Sequence, residues 1–171
     1  GTQKWQAQAA AGGERAADGS WRARLESLRT QLQDSRVAGT WTAQLEQAVK
    51  AQWRPSTAGG KLEGSAGTLA LTGPEPGTVR LKWQPVTGRP GDGGLMNWQS
   101  RGEFDGFPLA WAGMLTDNTG GNLNLRGDIL LGGQWDLSMG SQLRLRASIE
   151  RRSGDLRLQA DEEGSGELAS G

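Results

Sequence analysis

The sequence contains neither histidine nor cysteine. Ser-His-Asp and Cys-His catalysis, and zinc sites built on these side chains, therefore cannot be assembled. We predict that the chain is not an enzyme and that it holds no cofactor, no metal and no catalytic residue. The one acidic cluster, Asp161, Glu162 and Glu163, precedes a Gly-Ser-Gly stretch. We interpret this cluster as a solvated turn rather than as a pair of catalytic carboxylates.

An excess of charge of one sign is also missing, since 19 basic residues stand against 19 acidic ones. This balance argues against nucleic acid as a partner. No apolar run approaches the roughly 18 residues of a membrane-spanning helix, and no signal-peptide pattern is present. The chain starts at Gly1 without methionine and stops at Gly171 in mid-pattern, and we interpret it as an internal segment of a longer protein.

Hydrophobic residues make up only 35% of the chain, and glycine contributes 28 residues. The strongest positive signal in the sequence is an alternation of apolar and polar residues, which is most regular beyond residue 121. Such alternation predicts strands with one apolar and one polar face. Turn signals at Gly132-Gly133, Gly140-Ser141 and Ser153-Gly154 predict an antiparallel meander. The apolar positions expected to line one face, as a groove for apolar cargo, are Val79, Leu81, Trp83, Leu123, Leu125, Ile129, Trp135, Leu137, Met139, Leu143, Leu145, Ile149, Leu156 and Leu158.

Upstream the pattern is weaker. The spacing Gly-polar-Trp-polar-Ala-polar-Leu occurs at 19–25 and again at 39–45, which indicates a weak repeat of one hairpin-sized unit. Residues 42–52 also suit a helix, but we favour a strand because Gly39 and Trp41 precede them. We predict a loop over 86–94. Pro108, followed by apolar residues at helical spacing, predicts one short helix near 107–115.

These features predict an all-β fragment, an antiparallel meander with one short helix. Its parts are weakly repeated strand units over 1–55, strands with loops over 56–106, the helix over 107–116 and a regular meander over 121–171. A single meander must cover its apolar face with another sheet, a membrane, a partner or a ligand. Two alternatives stay open: a sheet curled into a groove, and a non-catalytic β-sandwich that binds carbohydrate or protein or has a structural role.

Three stretches resemble the TamB family, the inner-membrane and periplasmic subunits of the bacterial translocation and assembly module. The first is the Trp-led strand from Trp21 to Leu28 with the later Gly39-Thr40-Trp41. The second runs from Arg101 to Trp111 and contains Gly-x-Pro-Leu-x-Trp. The third is the strand pair from Gly127 to Leu137. Their order agrees over most of residues 20–160. The AsmA-like proteins share this architecture.

The resemblance implies a β-taco, a sheet curled along its length with an apolar interior. It also implies a periplasmic location, as part of an inner-membrane-anchored protein of a Gram-negative bacterium. The expected cargo is phospholipid acyl chains, carried between the inner and outer membranes, or nascent outer-membrane protein strands during autotransporter assembly. A TamA-like outer-membrane partner would be engaged by regions outside this fragment. The family contributes no catalytic residue.

Overall fold

A computed structural model describes residues 3–34, 37–57, 59–74, 76–91, 96–111, 126–154 and 156–157. The chain is all-β, and the predicted antiparallel meander is confirmed. The strands, in chain order, are β1 (Gln3–Arg15), β2 (Trp21–Asp34), β3 (Val37–Leu45), β4 (Val49–Arg54), β5 (Lys61–Gly64), β6 (Gly67–Thr72), β7 (Thr78–Trp83), β8 (Val86–Pro90), β9 (Met96–Pro108), β10 (Arg126–Gly127), β11 (Leu130–Met139), β12 (Leu143–Ser153) and β13 (Leu156–Arg157).

Eleven of these strands form one sheet, and β10 pairs with β13 in a second, two-stranded sheet. Three pairs of strands run end to end along the same neighbour. For example, β3 pairs with the C-terminal half of β2, and β4 with its N-terminal half. In the same way β5 continues into β6, and β7 into β8. The large sheet is therefore a meander of eight long tracks, each antiparallel to the next: β1, β2, β3–β4, β5–β6, β7–β8, β9, β11 and β12.

Two of the three interruptions shift the alternation so that the apolar residues stay on one face. Residues 65–66 separate β5 from β6, and residues 84–85 separate β7 from β8. Each two-residue break reverses the odd-even phase, so that Gly64 and Gly67 point to the same side. Pro85 suits such a break because it has no N–H to donate to a ladder. Hydrogen bonds bridge the breaks, from Ser65 N to Lys50 O at 2.8 Å and from Gln84 N to Arg101 O at 2.9 Å.

The segment 42–52 is extended, as we favoured, with a bend between β3 and β4. The predicted loop over 86–94 is wrong in its first part. Residues 86–90 form β8, because they find ladder partners on both sides, in β5 and in β9. Gly91 ends the strand, and residues 92–95 lie outside the described ranges. Residues 86–90 therefore form a strand despite their turn-forming composition, because both of their edges are paired.

Two further sequence-based expectations need correction. The Gly132-Gly133 turn is absent, since both residues lie inside β11, where Gly133 faces Phe104 of β9 and Ile149 of β12. The helix begins later than predicted, because Phe107 and Pro108 still pair with β11 and helical backbone starts only at residue 109. Residues 109–111 are helical, and 112–115 lie outside the described ranges. Strand β1 had not been predicted separately.

The buried core is small and gathers at one end of the tracks. Val79 and Trp111 are each only 1% exposed. The Trp111 ring meets Trp41 at 4.9 Å and Phe107 at 5.9 Å between centroids, both edge to face. A helical turn that follows β9 thus covers the sheet there. Among the described residues, the only sheet besides the large one is the β10–β13 pair, which is too short to form the second layer of a sandwich.

Candidate apolar binding surface

One face of the large sheet carries an apolar row that crosses the tracks from β3 to β12. The register places each member opposite the next on the neighbouring strand. We call this set the leucine row: Leu45, Leu69, Leu81, Phe104, Gly133 and Ile149. Because paired residues of an antiparallel sheet point to the same side, these side chains form one continuous apolar line.

A second line, the tryptophan row, lies beside the first: Gly67, Trp83, Gly102, Trp135 and Ala147. Its two indole rings lie against glycines of the neighbouring strand. A Cβ at Gly67 would overlap the Trp83 ring, and one at Gly102 would overlap the Trp135 ring. Trp83 Nε1 donates to Ser65 O at 3.2 Å, and Trp135 Nε1 donates to Ser100 Oγ at 3.4 Å. Because both indole N–H groups already donate hydrogen bonds within the sheet, the remaining surface of the two rings is apolar and available to a ligand.

A third line, the end row, crosses seven strands: Trp21, Trp53, Leu62, Gly88, Trp98, Met139 and Leu143. The rows together make one side of the sheet apolar from β2 to β12. Exposure of their side chains grows toward the edge. Leu45 is 7% exposed, whereas Ile149 on β12 is 68% exposed. A soluble surface rarely leaves so many large apolar side chains together in water, which marks the face as a candidate binding surface.

The predicted groove residues fall into several groups. Leu81 and Ile149 lie in the leucine row, Trp83 and Trp135 in the tryptophan row, and Met139 and Leu143 in the end row. Leu137 and Leu145 face one another on the same side, between the last two rows. The structure thus brings these eight positions together on one face.

The other predicted positions do not belong to this open apolar surface or lie outside the described ranges. Val79 is opposite Leu71 on the same face but is fully buried, so it belongs to the core and not to an open surface. Ile129 is 7% exposed and precedes β11. Leu156 lies in β13 opposite Gly127. Leu123, Leu125 and Leu158 lie outside the described ranges.

Several surface residues were not predicted as part of the site. Leu69 and Phe104 belong to the leucine row, which also contains the buried Leu45, and the end row adds Trp21, Trp53, Leu62 and Trp98. Each lies in a short alternating stretch, so a local signal existed. The phase reversals at the two breaks hid the fact that these stretches share a face.

The opposite face is charged and is held by ion pairs between neighbouring strands. Arg80 Nε lies 3.0 Å from Glu46, Lys82 Nζ 3.3 Å from Glu103, and Arg101 Nε 3.0 Å from Asp136. Exposed pairs of this kind contribute little to stability individually. Their value here is that charges of both signs alternate, which keeps this face solvated.

Two open depressions lie on the charged face, with volumes of about 580 and 650 Å³. The first runs along the backbone of the tryptophan row and is rimmed by Lys82, Arg101, Glu103 and Asp136. These four form the cross-strand pairs described above. Arg146 also lines this depression, so three basic side chains stand against two acidic ones around it.

Asp136 is the best-defined acidic group of this face. Gln99 Nε2 donates to its Oδ1 at 3.0 Å, and Arg101 Nε donates to Oδ2 at 3.0 Å. The Gln99 hydrogen bond first, and then Arg101, hold the pKa of the Asp136 carboxyl below its ordinary value. The ionised carboxylate therefore ties β9 to β11.

We expect Asp136→Asn to lower the Tm slightly at pH 6 and to make no difference in strong acid. A carboxyl whose pKa is depressed in the folded state stabilises the fold above its unfolded pKa of about 3.9, and this contribution disappears as the pH falls through the lower, folded pKa. Thermal unfolding of both proteins between pH 2 and about 6 measures the effect. A Tm difference that instead grows below pH 3 would contradict this assignment.

No group of three or more His, Cys, Asp or Glu side chains suited to a metal ion occurs within the described ranges. No helix formed by the described residues is long and apolar enough to cross a membrane. Comparisons with protein-family models, with curated proteins and with solved structures give no match. The class that the geometry defines is therefore a two-faced antiparallel β-meander with an exposed apolar surface.

Proposed function

We propose that this chain is a segment of a TamB-like, envelope-spanning protein, whose apolar face carries phospholipid acyl chains between the inner and outer membranes of a Gram-negative cell. The observation that carries the proposal is the leucine row, a continuous apolar line across six tracks of one sheet. The proposal places the segment in the periplasm, on an inner-membrane-anchored protein. It assigns no catalytic residue and no cofactor.

The physical basis is replacement of water around the acyl chain by the apolar rows. Each buried CH₂ contributes about 0.8 kcal/mol, and apolar area contributes roughly 25 cal/mol per Å². A chain of many CH₂ groups therefore binds without any specific polar contact. Successive tracks present similar side chains, since Leu69 and Leu81 recur at one level of the sheet. A bound chain thus meets sites of similar affinity as it moves across the strands.

Support of outer-membrane protein assembly is the second function within this proposal. Membrane strands alternate apolar and polar residues, so one side of a nascent strand matches the apolar face in the same way as an acyl chain. The partner TamA would then act at regions beyond this segment. Both cargoes would bind to the same rows, so they are distinguished by identifying which molecule is bound to the apolar face in the cell.

Site-specific photocrosslinking distinguishes these cargoes. A photoreactive residue replaces Leu145 on the apolar face in one variant and Arg144 on the charged face in the control. We expect phospholipid adducts at Leu145 and none at Arg144. Adducts of outer-membrane protein chains at Leu145 favour the assembly role, and the absence of adducts at both positions contradicts the proposal.

We expect Leu145→Arg to weaken binding of fluorescent phospholipid at least tenfold while leaving the Tm nearly unchanged. Leu145 is 63% exposed, so its replacement leaves no cavity, but it places a charge in the path of the acyl chain. Fluorescence titration and thermal unfolding measure the two effects. Arg144→Glu, one position away on the other face, should leave both nearly unchanged. Unfolding of the Leu145→Arg variant would show instead that this side chain belongs to a packed core.

A further inference from the structure

The charged face has a third open depression, of about 530 Å³, at the end of the sheet where the end row crosses the other face. Its polar lining comes from three neighbouring strands and consists of Lys61, Thr87, Arg89, Asn97 and Gln99. Thr87 faces Gln99 and Arg89 faces Asn97 in the ladder between β8 and β9, so these side chains point to the same side. Among the described residues, the lining thus carries two positive charges and no negative one.

A row of three cations crosses this end of the charged face. Arg54 faces Lys61 in the ladder between β4 and β5, and Lys61 and Arg89 line the depression from the neighbouring strands β5 and β8. We call Arg54, Lys61 and Arg89 the basic row. Glu63 offsets part of its charge, with carboxylate oxygens 2.6 Å from Lys61 Nζ and 3.3 Å from a guanidinium nitrogen of Arg54. Arg89 forms no ion pair with another described residue.

This arrangement departs from the rest of the charged face, where charges of opposite sign mostly face each other, as Arg101 faces Asp136. Another facing pair of like charge, Arg24 and Lys50, lies in the second depression, which three carboxylates line. Like charges at facing positions destabilise a strand pair. The basic row is therefore a place where the fold keeps an unfavourable arrangement, and such places are commonly functional sites.

We propose that this depression binds a phosphate group between Arg89 and Lys61. The guanidinium group of Arg89 presents several N–H donors in one plane, a geometry suited to phosphate oxygens, and the ammonium group of Lys61 adds a point charge. The Thr87 hydroxyl and the Asn97 amide of the same lining supply neutral donors. Because β8 and β9 are paired here, the backbone that carries these groups is held in place before the ligand arrives.

The phosphate belongs either to a soluble phosphate ester or to a phospholipid headgroup. Trp98 and Met139, two members of the end row, also line the depression, so the phosphate site and the apolar face meet at this end of the sheet. The site does not rest on the proposed function, because a soluble ester satisfies the same groups. Its failure would leave the crosslinking result at Leu145 unaffected.

Titration with inorganic phosphate, followed by the backbone amide signals in two-dimensional NMR spectra, tests the site. Sodium chloride at equal ionic strength is the reference, because it screens charges without offering a phosphate group. We expect phosphate to shift the amide signals of Lys61, Thr87, Arg89 and Asn97 beyond the sodium chloride reference. Shifts no larger than this reference overturn the proposal.

Three variants assign the binding to Arg89, whose exposed side chain can be replaced without opening a cavity. Arg89→Gln should weaken phosphate binding about tenfold, the usual effect of losing a hydrogen bond to a charged group. Arg89→Lys keeps the charge and should retain most of the affinity. The matched control is Arg80→Gln on the same track, where Arg80 is paired with Glu46, and it should bind phosphate like the unsubstituted chain. Equal weakening by Arg89→Gln and Arg80→Gln contradicts the proposal, and circular dichroism confirms that each variant is folded.

Two further probes identify the source of the phosphate. Equal affinity for glycerol phosphate and for dihexanoyl phosphatidic acid assigns the site to soluble esters. Tighter binding of the phosphatidic acid, with a shift of the Trp98 indole N–H signal, assigns it to a lipid headgroup. Binding of neither compound overturns the proposal.

Discussion

Trp111→Ala will lower the free energy of unfolding by about 3–5 kcal/mol, the usual cost of deleting a buried aromatic side chain. Trp111 is 1% exposed and is packed edge to face against Trp41 and Phe107. Its ring also lies against Gly73, which follows β6. The substitution therefore opens a cavity at the end of the sheet where most of the small core lies. Urea unfolding, followed by circular dichroism, measures the loss.

The matched control is the same substitution at an exposed site. Trp5 lies in β1 and is 66% exposed. Trp5→Ala should change the free energy of unfolding by less than about 1 kcal/mol. Equal losses at the two positions would contradict the assignment of Trp111 to the core and of Trp5 to an open surface.

Gly102→Ala will lower the free energy of unfolding by about 1–3 kcal/mol, the range expected for overpacking. A Cβ at this position would overlap the Trp135 ring and the Lys82 carbonyl oxygen. The ring can rotate away, but the carbonyl belongs to the ladder between β7 and β9 and cannot move without loss of pairing. The displaced Trp135 ring should also change its fluorescence emission.

Gly12→Ala is the control for this prediction. Nothing lies within 4 Å of a Cβ built at Gly12 in β1. Replacing glycine where there is room restricts the unfolded chain and stabilises a protein by about 0.4–1 kcal/mol. The two variants should therefore shift the urea midpoint in opposite directions. A loss of stability at Gly12 as large as that at Gly102 would show that backbone freedom, rather than the Trp135 contact, sets the cost.

The local pattern correctly predicted the direction of the side chains wherever a strand alternates without interruption. In β12, Leu143, Leu145 and Ile149 point to one face and Arg144 and Arg146 to the other, as expected. The Gly140 turn between β11 and β12 and the end of β12 at Ser153 were also placed correctly. Alternation succeeds here because side-chain direction in a strand is set by the strand itself.

Glycine and proline misled the prediction in β8 and β11. The stretch 86–90 has the composition of a loop, and Gly132-Gly133 has that of a turn, yet both lie in strands. Gly133 pairs with Phe104 and Ile149, and the Ser148 carbonyl oxygen and the Phe104 ring occupy the space in which a side chain would stand. An aromatic ring over a glycine on the neighbouring strand is a contact between residues far apart in sequence, and no local window contains it.

Local sequence is enough to establish that this chain is a β-meander with one apolar and one charged face, since alternation and turn chemistry act over a few residues. Tertiary structure alone decided which strands are neighbours and how the phase reversals at residues 65–66 and 84–85 are absorbed. It also decided which apolar residues join into rows and which, such as Val79 and Trp111, are covered. The physical reason is that register depends on hydrogen bonds and ring contacts between distant segments, whereas the direction of a side chain depends on its own strand.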